Sequence, residues 1–435
     1  MSNWSEADLE LRLCRALDLA RKAIQYFAID GYADPESPAC SFGAEKVVAE
    51  TAMLIYAASA SRSRPNIANR IDDLAALLAP HARSQRVLVE IALHPALTFK
   101  FAAPHILLTK VGYPDATFDD FLRSCASSQT RHAQDRPPSS SFERQWIRSL
   151  WNGQHSDGSW RAKLRDSMLN WPIDILGCLR TDAYAFTHLI MYGADFGFRN
   201  PRLPRRRSNI LMEVSSLLAR HLDAEDYDLA GEMLLTWPLM GAAWSPSAAF
   251  AFRVLASVED QVGVLPCGNV DLARLGALEG EERARYALGT AYHTAYVMGF
   301  LCAVSLRPGR APPVAIVGPQ VEATRLSRLL GYVDDDRGHW QPEFSRLAEE
   351  ERRALASFVL DVAIVQKCRR RDYKAVVEIL SLASESGLAG SPMCRQAFEL
   401  LERIASCSTA IRLREGAPTE KAFPEHSATG PPMSG

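Results

Sequence analysis

The sequence lacks the marks of several protein classes, and each absence removes one of them. Its nine cysteines are an odd number, scattered from Cys14 to Cys407 with no C-x-x-C pair. That excludes a disulfide framework and paired-cysteine metal sites, and predicts free thiols in a reducing compartment. The formal net charge is only −2, so nothing calls for nucleic acid or another polyanion as partner. Met1–Glu10 carries acidic residues and no apolar core, which does not read as a secretory signal. No apolar run reads as approaching the roughly 20 residues of a membrane span. A cytoplasmic protein without a membrane span is the expectation. No stretch alternates apolar and polar residues as a half-buried strand does, and no hairpin signature joins two such stretches. P-loop, dinucleotide-binding and nucleophile-elbow patterns are also missing.

What is present is helix. The chain has 435 residues, 47% hydrophobic and 23% charged, an ordinary globular balance. Ser5 followed by Glu6 and Asp8 caps a helix that apolar spacing carries to about Phe27. A second long helix covers about Gly43–Ala60, and shorter ones follow, punctuated by Pro80, Pro95, Pro104 and Pro114. Gln129–Ser141, ending in Pro137-Pro138-Ser139-Ser140-Ser141, reads as a linker, and Pro308–Pro319 as a second break. Single long helices are predicted over Glu281–Leu306, Glu343–Val365 and, with a turn near Gly387–Gly390, Tyr373–Ser406. The fold class is all-α, with helices in stacked pairs as a closed α/α toroid or, alternatively, an open helical solenoid. Residues 1–130 form an N-terminal helical region that either joins that ring or stands apart. Residues 142–407 form the toroid-like domain, and 408–435 a disordered tail.

One stretch draws attention. Between Thr181 and Phe198, Tyr184, His188, Tyr192 and Asp195 are spaced four, four and three apart and share a helical face, while the positions around them are mostly apolar. A helix apolar nearly all round is buried, so its polar stripe must face partners or a cavity. Tyr292-His293-Thr294-Ala295-Tyr296 repeats the combination of a Thr–His dipeptide with tyrosines at helical spacing. If the two helices are neighbours, His188 and His293 converge, with Asp182 and Asp195 as nearby carboxylates. Such a set suits either metal binding or acid–base chemistry, whereas histidines privately bonded in the core would carry neither. Of the other histidines, His105 reads as a loop or helix-end residue and His221 as exposed.

Two motifs carry a resemblance. Gln154-His155-Ser156-Asp157-Gly158-Ser159-Trp160 resembles the Q-x-x-D-G-x-W turn of the terpenoid-cyclase toroids, and Tyr292–Tyr296 is similar to the Y-H-T-x-Y segment of protein prenyltransferase β subunits. The resemblance implies an α/α toroid and makes His293 a zinc-ligand candidate. The upstream Asp-x-Cys that completes the prenyltransferase site is missing, since Leu176 and Leu265 stand two residues before Cys178 and Cys267. The D-x-D-D and D-D-x-x-D motifs of the cyclases are missing too. Asp334-Asp335-Asp336 lacks the intervening residue, and neither Asp72-Asp73 nor Asp119-Asp120 has the third aspartate.

The expectation is therefore a biosynthetic tailoring enzyme, of cyclase/lyase or transferase type, with a largely apolar small-molecule or modified-peptide substrate in a central cavity. Asp182, His188, Asp195 and His293 are the candidate catalytic residues. Tyr184, Tyr192, Tyr292, Tyr296 and Trp237 would position substrate. His293, His188 and Asp182 are the candidate ligands if zinc is the cofactor. The competing expectation is a non-catalytic helical-repeat scaffold.

Overall fold

The computed structural model describes residues 4–36, 38–127, 137–153, 162–268, 270–334 and 339–415. Among them the chain is all-helical, with one isolated antiparallel bridge between Tyr32 and Phe42 in place of any sheet. The elements used below are α1 (Glu6–Phe27), α2 (Ala44–Ala58), α3 (Pro65–Ala82), α4 (Ala103–Lys110), α5 (Pro138–Asn152), α6 (Arg180–Gly193), α7 (Arg207–Asp223), α8 (Tyr227–Met240), α9 (Pro246–Val262), α10 (Gly280–Ser305), α11 (Ala356–Arg369), α12 (Tyr373–Glu385) and α13 (Pro392–Glu415).

Local chemistry sets many of these ends. Ser5 and Asp8 form a reciprocal capping box on α1, Ser5 Oγ accepting from the Asp8 N–H at 3.2 Å and Asp8 Oδ2 from the Ser5 N–H at 3.1 Å. Ser245 and Asp226 cap α9 and α8 by a single side-chain bond each, accepting from the Ala248 and Leu229 N–H groups. Pro138 is not linker but the first residue of α5, where its fixed φ suits a helix and its missing N–H costs nothing. The helix expected over Glu343–Val365 is divided into Trp340–Ser345, Glu349–Ala354 and α11. At the other end, α13 runs to Glu415, into the stretch expected to be disordered. The Gln154–Trp160 turn, with His155, lies outside the described residues, as do Asp335 and Asp336.

The spine of the molecule is α10. Tyr286–Ser305 contains no Asp, Glu, Lys or Arg, so the expectation that no run approaches membrane-spanning length is corrected: α10 is long and apolar enough. Nearly all of that stretch is buried against other helices of the chain, notably α1, α2 and α8. Glycine permits the closest of these approaches. A Cβ at Gly299 would stand 2.7 Å from the Ala16 Cβ and 2.9 Å from Leu54 Cδ1, and one at Gly231 on α8 would stand 2.6 Å from Val297 Cγ1.

Successive contacts run from α2 to α10, α10 to α8, α8 to α6, α6 to α5, α5 to α4, and α4 back to α2. Outside these six, α1 lies on α10, α2 and α3, while α7 and α9 lie on α8. The C-terminal helices attach through α11, which packs on α7 and carries α12 and α13. Hydrophobic packing is continuous from Leu9 to Ala397. Ion pairs tie distant segments together, as where the buried Arg12 of α1 meets the buried Glu259 and the half-exposed Asp260 of α9. The two Trp–Pro pairs of the sequence, Trp171-Pro172 and Trp237-Pro238, are not equivalent: Trp171 is 68% exposed, and Trp237 is fully buried.

Two predictions follow from this packing. Gly299→Val is expected to lower unfolding free energy by about 1–3 kcal/mol in denaturant titration, because the side chain must displace Ala16 or Leu54. The second concerns Asp361 on α11, which is buried with Oδ1 lacking a hydrogen-bond partner. Burial raises its pKa to about 7, with the Ser216 hydroxyl opposing. The folded chain therefore holds this proton where the unfolded chain, with an ordinary aspartate near pKa ~3.9, has lost it. The contribution of Asp361 to stability should fall as pH rises from about 4 to about 7 and then level off. Asp361→Asn should remove that dependence, seen by comparing the two chains' melting temperatures across pH.

Candidate functional site

A cavity of about 410 Å³ opens among the six helices in mutual contact. All six contribute to its lining, joined by the segment Lys100–Phe101 and by Val87. The walls are apolar, formed by Met53, Phe101, Met191, Phe196, Leu235, Val297 and Phe300 among others. The polar lining is concentrated in Glu50 and Lys46 from α2, Glu143 from α5, His188 and Tyr192 from α6, Glu232 from α8 and His293 from α10.

On α6, Tyr184, His188 and Tyr192 form a file of rings, with centroids 6.0 and 5.8 Å apart. His188 Nε2 lies 3.3 Å from Glu232 Oε1. On α10, His293 Nδ1 is hydrogen-bonded to Glu50 Oε2 at 3.0 Å, while Nε2 stands 3.3 Å from Asp228 Oδ1 without a hydrogen bond between them. Asp228 and Glu232 are four residues apart on α8 and so share a face. The Tyr184 hydroxyl donates to Asp228 Oδ2 and the Thr187 hydroxyl to Glu232 Oε2. His188 and His293 thus line one cavity and are linked through adjacent carboxylates of α8.

The electrostatics follow from burying these charges together. Burial alone favours the neutral ring of His293, but the Glu50 and Asp228 carboxylates outweigh it and raise its pKa to about 10. The same balance raises His188, where burial is opposed by Glu232 and Glu143. Burial pushes Glu50 and Glu232 upward, yet their histidine partners bring both below the usual carboxylate range. Asp228 goes the other way: burial raises it, His293 offsets this only in part, and Glu232 adds repulsion. Burial also raises Glu143, which lies beside the Tyr192 hydroxyl.

The remaining sequence candidates lie elsewhere. Asp182 is the third residue of α6, and its Oδ2 accepts from the Leu179 N–H at 2.9 Å, so it caps the helix rather than facing the cavity. The helix ends at Gly193, and Asp195 and Phe196 take left-handed φ values of 51° and 48°. That turns Asp195 off the stripe. Its Oδ1 instead accepts from Trp146 Nε1 at 2.7 Å and the Tyr56 hydroxyl at 3.1 Å. Tyr184 stands behind the floor, holding Asp228. Tyr292, Tyr296 and Trp237 are core side chains outside the lining, with the Tyr296 hydroxyl 2.7 Å from Thr51 Oγ1. His105 lies in the first turn of α4, a helix end as expected, but fully buried and 3.0 Å from Asp119, whereas His221 is buried 3.3 Å from Asp226 and not at the exposed position expected from its neighbours.

Glu50, Glu143, Asp228 and Glu232 were not singled out from the sequence. A signal existed for two of them: Asp228 and Glu232 stand four apart in Tyr227–Met240, a segment otherwise nearly free of charge.

Residues 13–303 match the family described as a domain of unknown function, DUF6895. The match spans well over half of the chain, and the chain belongs to this family. Every ionisable residue of the floor lies within the matched span, whereas α11, α12 and α13 lie beyond it. No curated protein and no solved structure matches the chain.

The placement of Asp195 predicts a structural role. Asp195→Ala leaves the Trp146 and Tyr56 donors buried without an acceptor, and should cost about 2–4 kcal/mol of folding stability in denaturant titration.

Proposed function

We propose that this member of the DUF6895 family is an enzyme acting on a small, largely apolar molecule held in the cavity, with acid–base or metal-assisted chemistry at the polar floor. The observation that carries this reading is the convergence of His188 and His293, from helices about a hundred residues apart, on one cavity with Glu50, Glu143 and Glu232. Buried charges are expensive to maintain, and packing alone gives no reason to gather so many at a single opening. The cavity volume lies in the roughly 300–1,000 Å³ range typical of small-molecule sites.

Within this reading the wall residues Phe101, Met191, Leu235 and Phe300 bind the apolar body of the substrate. Glu143 and Tyr192 engage a polar group on it, and the histidines with their carboxylates serve the reacting end. The six helices in closed succession, with α1, α3, α7 and α9 outside them, support an α/α-toroid arrangement in which the cavity is the centre of the ring. The presence of the Tyr292–Tyr296 segment on one of those helices, with His293 lining the cavity, favours the likeness to prenyltransferase β subunits in architecture. A tailoring reaction of cyclase/lyase or transferase type fits such an enclosed, mostly apolar site.

The test is to incubate the purified chain with a small-molecule extract of its native cells and follow masses over time. Wild type is expected to convert at least one component in excess over protein. Leu235→Trp, which fills the cavity, should abolish the conversion, and Glu143→Gln should slow it by about a hundredfold or more. A component retained at one per chain and never altered, or no interaction at all in the presence of zinc, iron(II) and manganese(II), would refute the enzyme reading.

A further inference from the structure

We propose that Asp228, Glu232 and His293, with His188 beside Glu232, bind one divalent transition-metal ion, of the zinc, iron(II) or manganese(II) class, at the floor of the cavity. The donor atoms are already sorted. Asp228 Oδ2 is taken by the Tyr184 hydroxyl and Glu232 Oε2 by the Thr187 hydroxyl, which leaves Oδ1 free for the ion and Oε1 shared only with His188 Nε2. His293 Nδ1 is held 3.0 Å from Glu50, which leaves Nε2. This is the carboxylate–histidine arrangement that fixes a ring's tautomer and aims its other nitrogen at a metal.

The spacing fits as well. His293 Nε2 lies 3.3 Å from Asp228 Oδ1, and His188 Nε2 lies 3.3 Å from Glu232 Oε1. Neighbouring ligands held tetrahedrally at about 2.0 Å from zinc are about 3.3 Å apart, the separation seen in both pairs. Asp228, Glu232 and His293 each offer a ligand atom within 4.8 Å of the other two.

A second observation is independent of the clustering. Asp228 is only 7% exposed, and its Oδ1 has no hydrogen-bond partner despite the proximity of His293. A buried carboxylate oxygen facing a histidine nitrogen without bonding to it is a group awaiting a cation. Two carboxylates offset the double charge of the ion, and a neutral imidazole completes a nitrogen–oxygen set suited to these metals rather than to calcium. Asp182, expected as a ligand from the sequence, is replaced by Asp228 and Glu232, because it is engaged at the start of α6.

The proposal rests on reading this floor as the functional end of the cavity, but binding is measurable without a substrate. The full chain, stripped with a chelator and dialysed, is titrated by calorimetry with Zn²⁺ and Mn²⁺, and with Fe²⁺ under anaerobic conditions. One ion per chain is expected for at least one of the three. Asp228→Asn and His293→Gln should each weaken binding at least a hundredfold. Tyr184→Phe, which touches no metal, should weaken it about tenfold by freeing Asp228. Glu143→Gln should leave binding unchanged, and circular dichroism checks that each variant remains helical. Should Asp228→Asn or His293→Gln unfold, the milder Tyr184→Phe and the absorption spectrum of Co²⁺ in the wild-type chain decide. An intense visible band, weakened in Tyr184→Phe, supports four-coordinate nitrogen–oxygen ligation here. Folded wild type that binds none of these ions, or variants that bind as wild type does, overturns the proposal. A bound ion without substrate conversion refutes the enzyme reading alone, and conversion by a folded chain that binds none of these ions refutes the metal alone.

Discussion

Burying α10 is the constraint on which fold and site both depend. Its stretch from Tyr286 to Ser305 has no acidic or basic side chain apart from His293, and only close packing on every side can keep it from water. Helices α1, α2 and α8 supply that cover, and Gly299 and Gly231 allow backbones to approach at the tightest points. Covering the helix also encloses His293. An imidazole placed there must find partners, and the covering helices bring them: Glu50 on α2 and Asp228 on α8. The same contacts that bury α10 therefore assemble half of the floor.

The other half arises because α8 is shared. It lies between α10 and α6, and its Asp228 and Glu232 face both. Glu232 meets His188, Asp228 meets His293, and hydroxyls from Tyr184 and Thr187 hold the outer oxygens. Negative charge collected around two imidazoles creates a strong demand for positive charge at one point. Protons on the rings meet it in part, which is why both histidines are raised despite burial. Breaking any one pair would leave a buried charge uncompensated, so the six side chains behave as one unit rather than as separate residues.

How much of this was legible in the sequence depended on whether periodicity or tertiary contact decided the outcome. The stripe Tyr184, His188, Tyr192 is pure period, and it forms as the spacing predicts. Its two ends, Asp182 and Asp195, have the right spacing but lie where the helix begins and stops. A carboxylate in the first turn folds back onto free N–H groups, and a residue beyond the last turn takes whatever direction the left-handed turn gives it. Tyr292 and Tyr296 flank His293 yet point into core, since a helix covered on all sides has more than one buried face. The acids opposite the histidines could be found only by asking which charges stand in segments too apolar to be solvated. Asp228 and Glu232 pass that test. Glu50, next to Lys46 and Glu45 on a half-exposed turn, reads as surface until α10 is laid beside it.

That last case bears on how the chain is divided. Glu50 and His293 are 243 residues apart in sequence and 3.0 Å apart in space. Residues of α2 and α4 form part of the cavity wall, and α1 covers the outer side of α10. The N-terminal helices are therefore not an appendage to a site formed by the rest. Without them His293 would lose the carboxylate that orients its ring, and α10 would expose the apolar side that α1 and α2 cover. The helices after α10 stand in a different relation to the site. They pack on α7 and α9, both of which lie on the outer side of α8, so they can influence Asp228 and Glu232 by the position they impose on that helix.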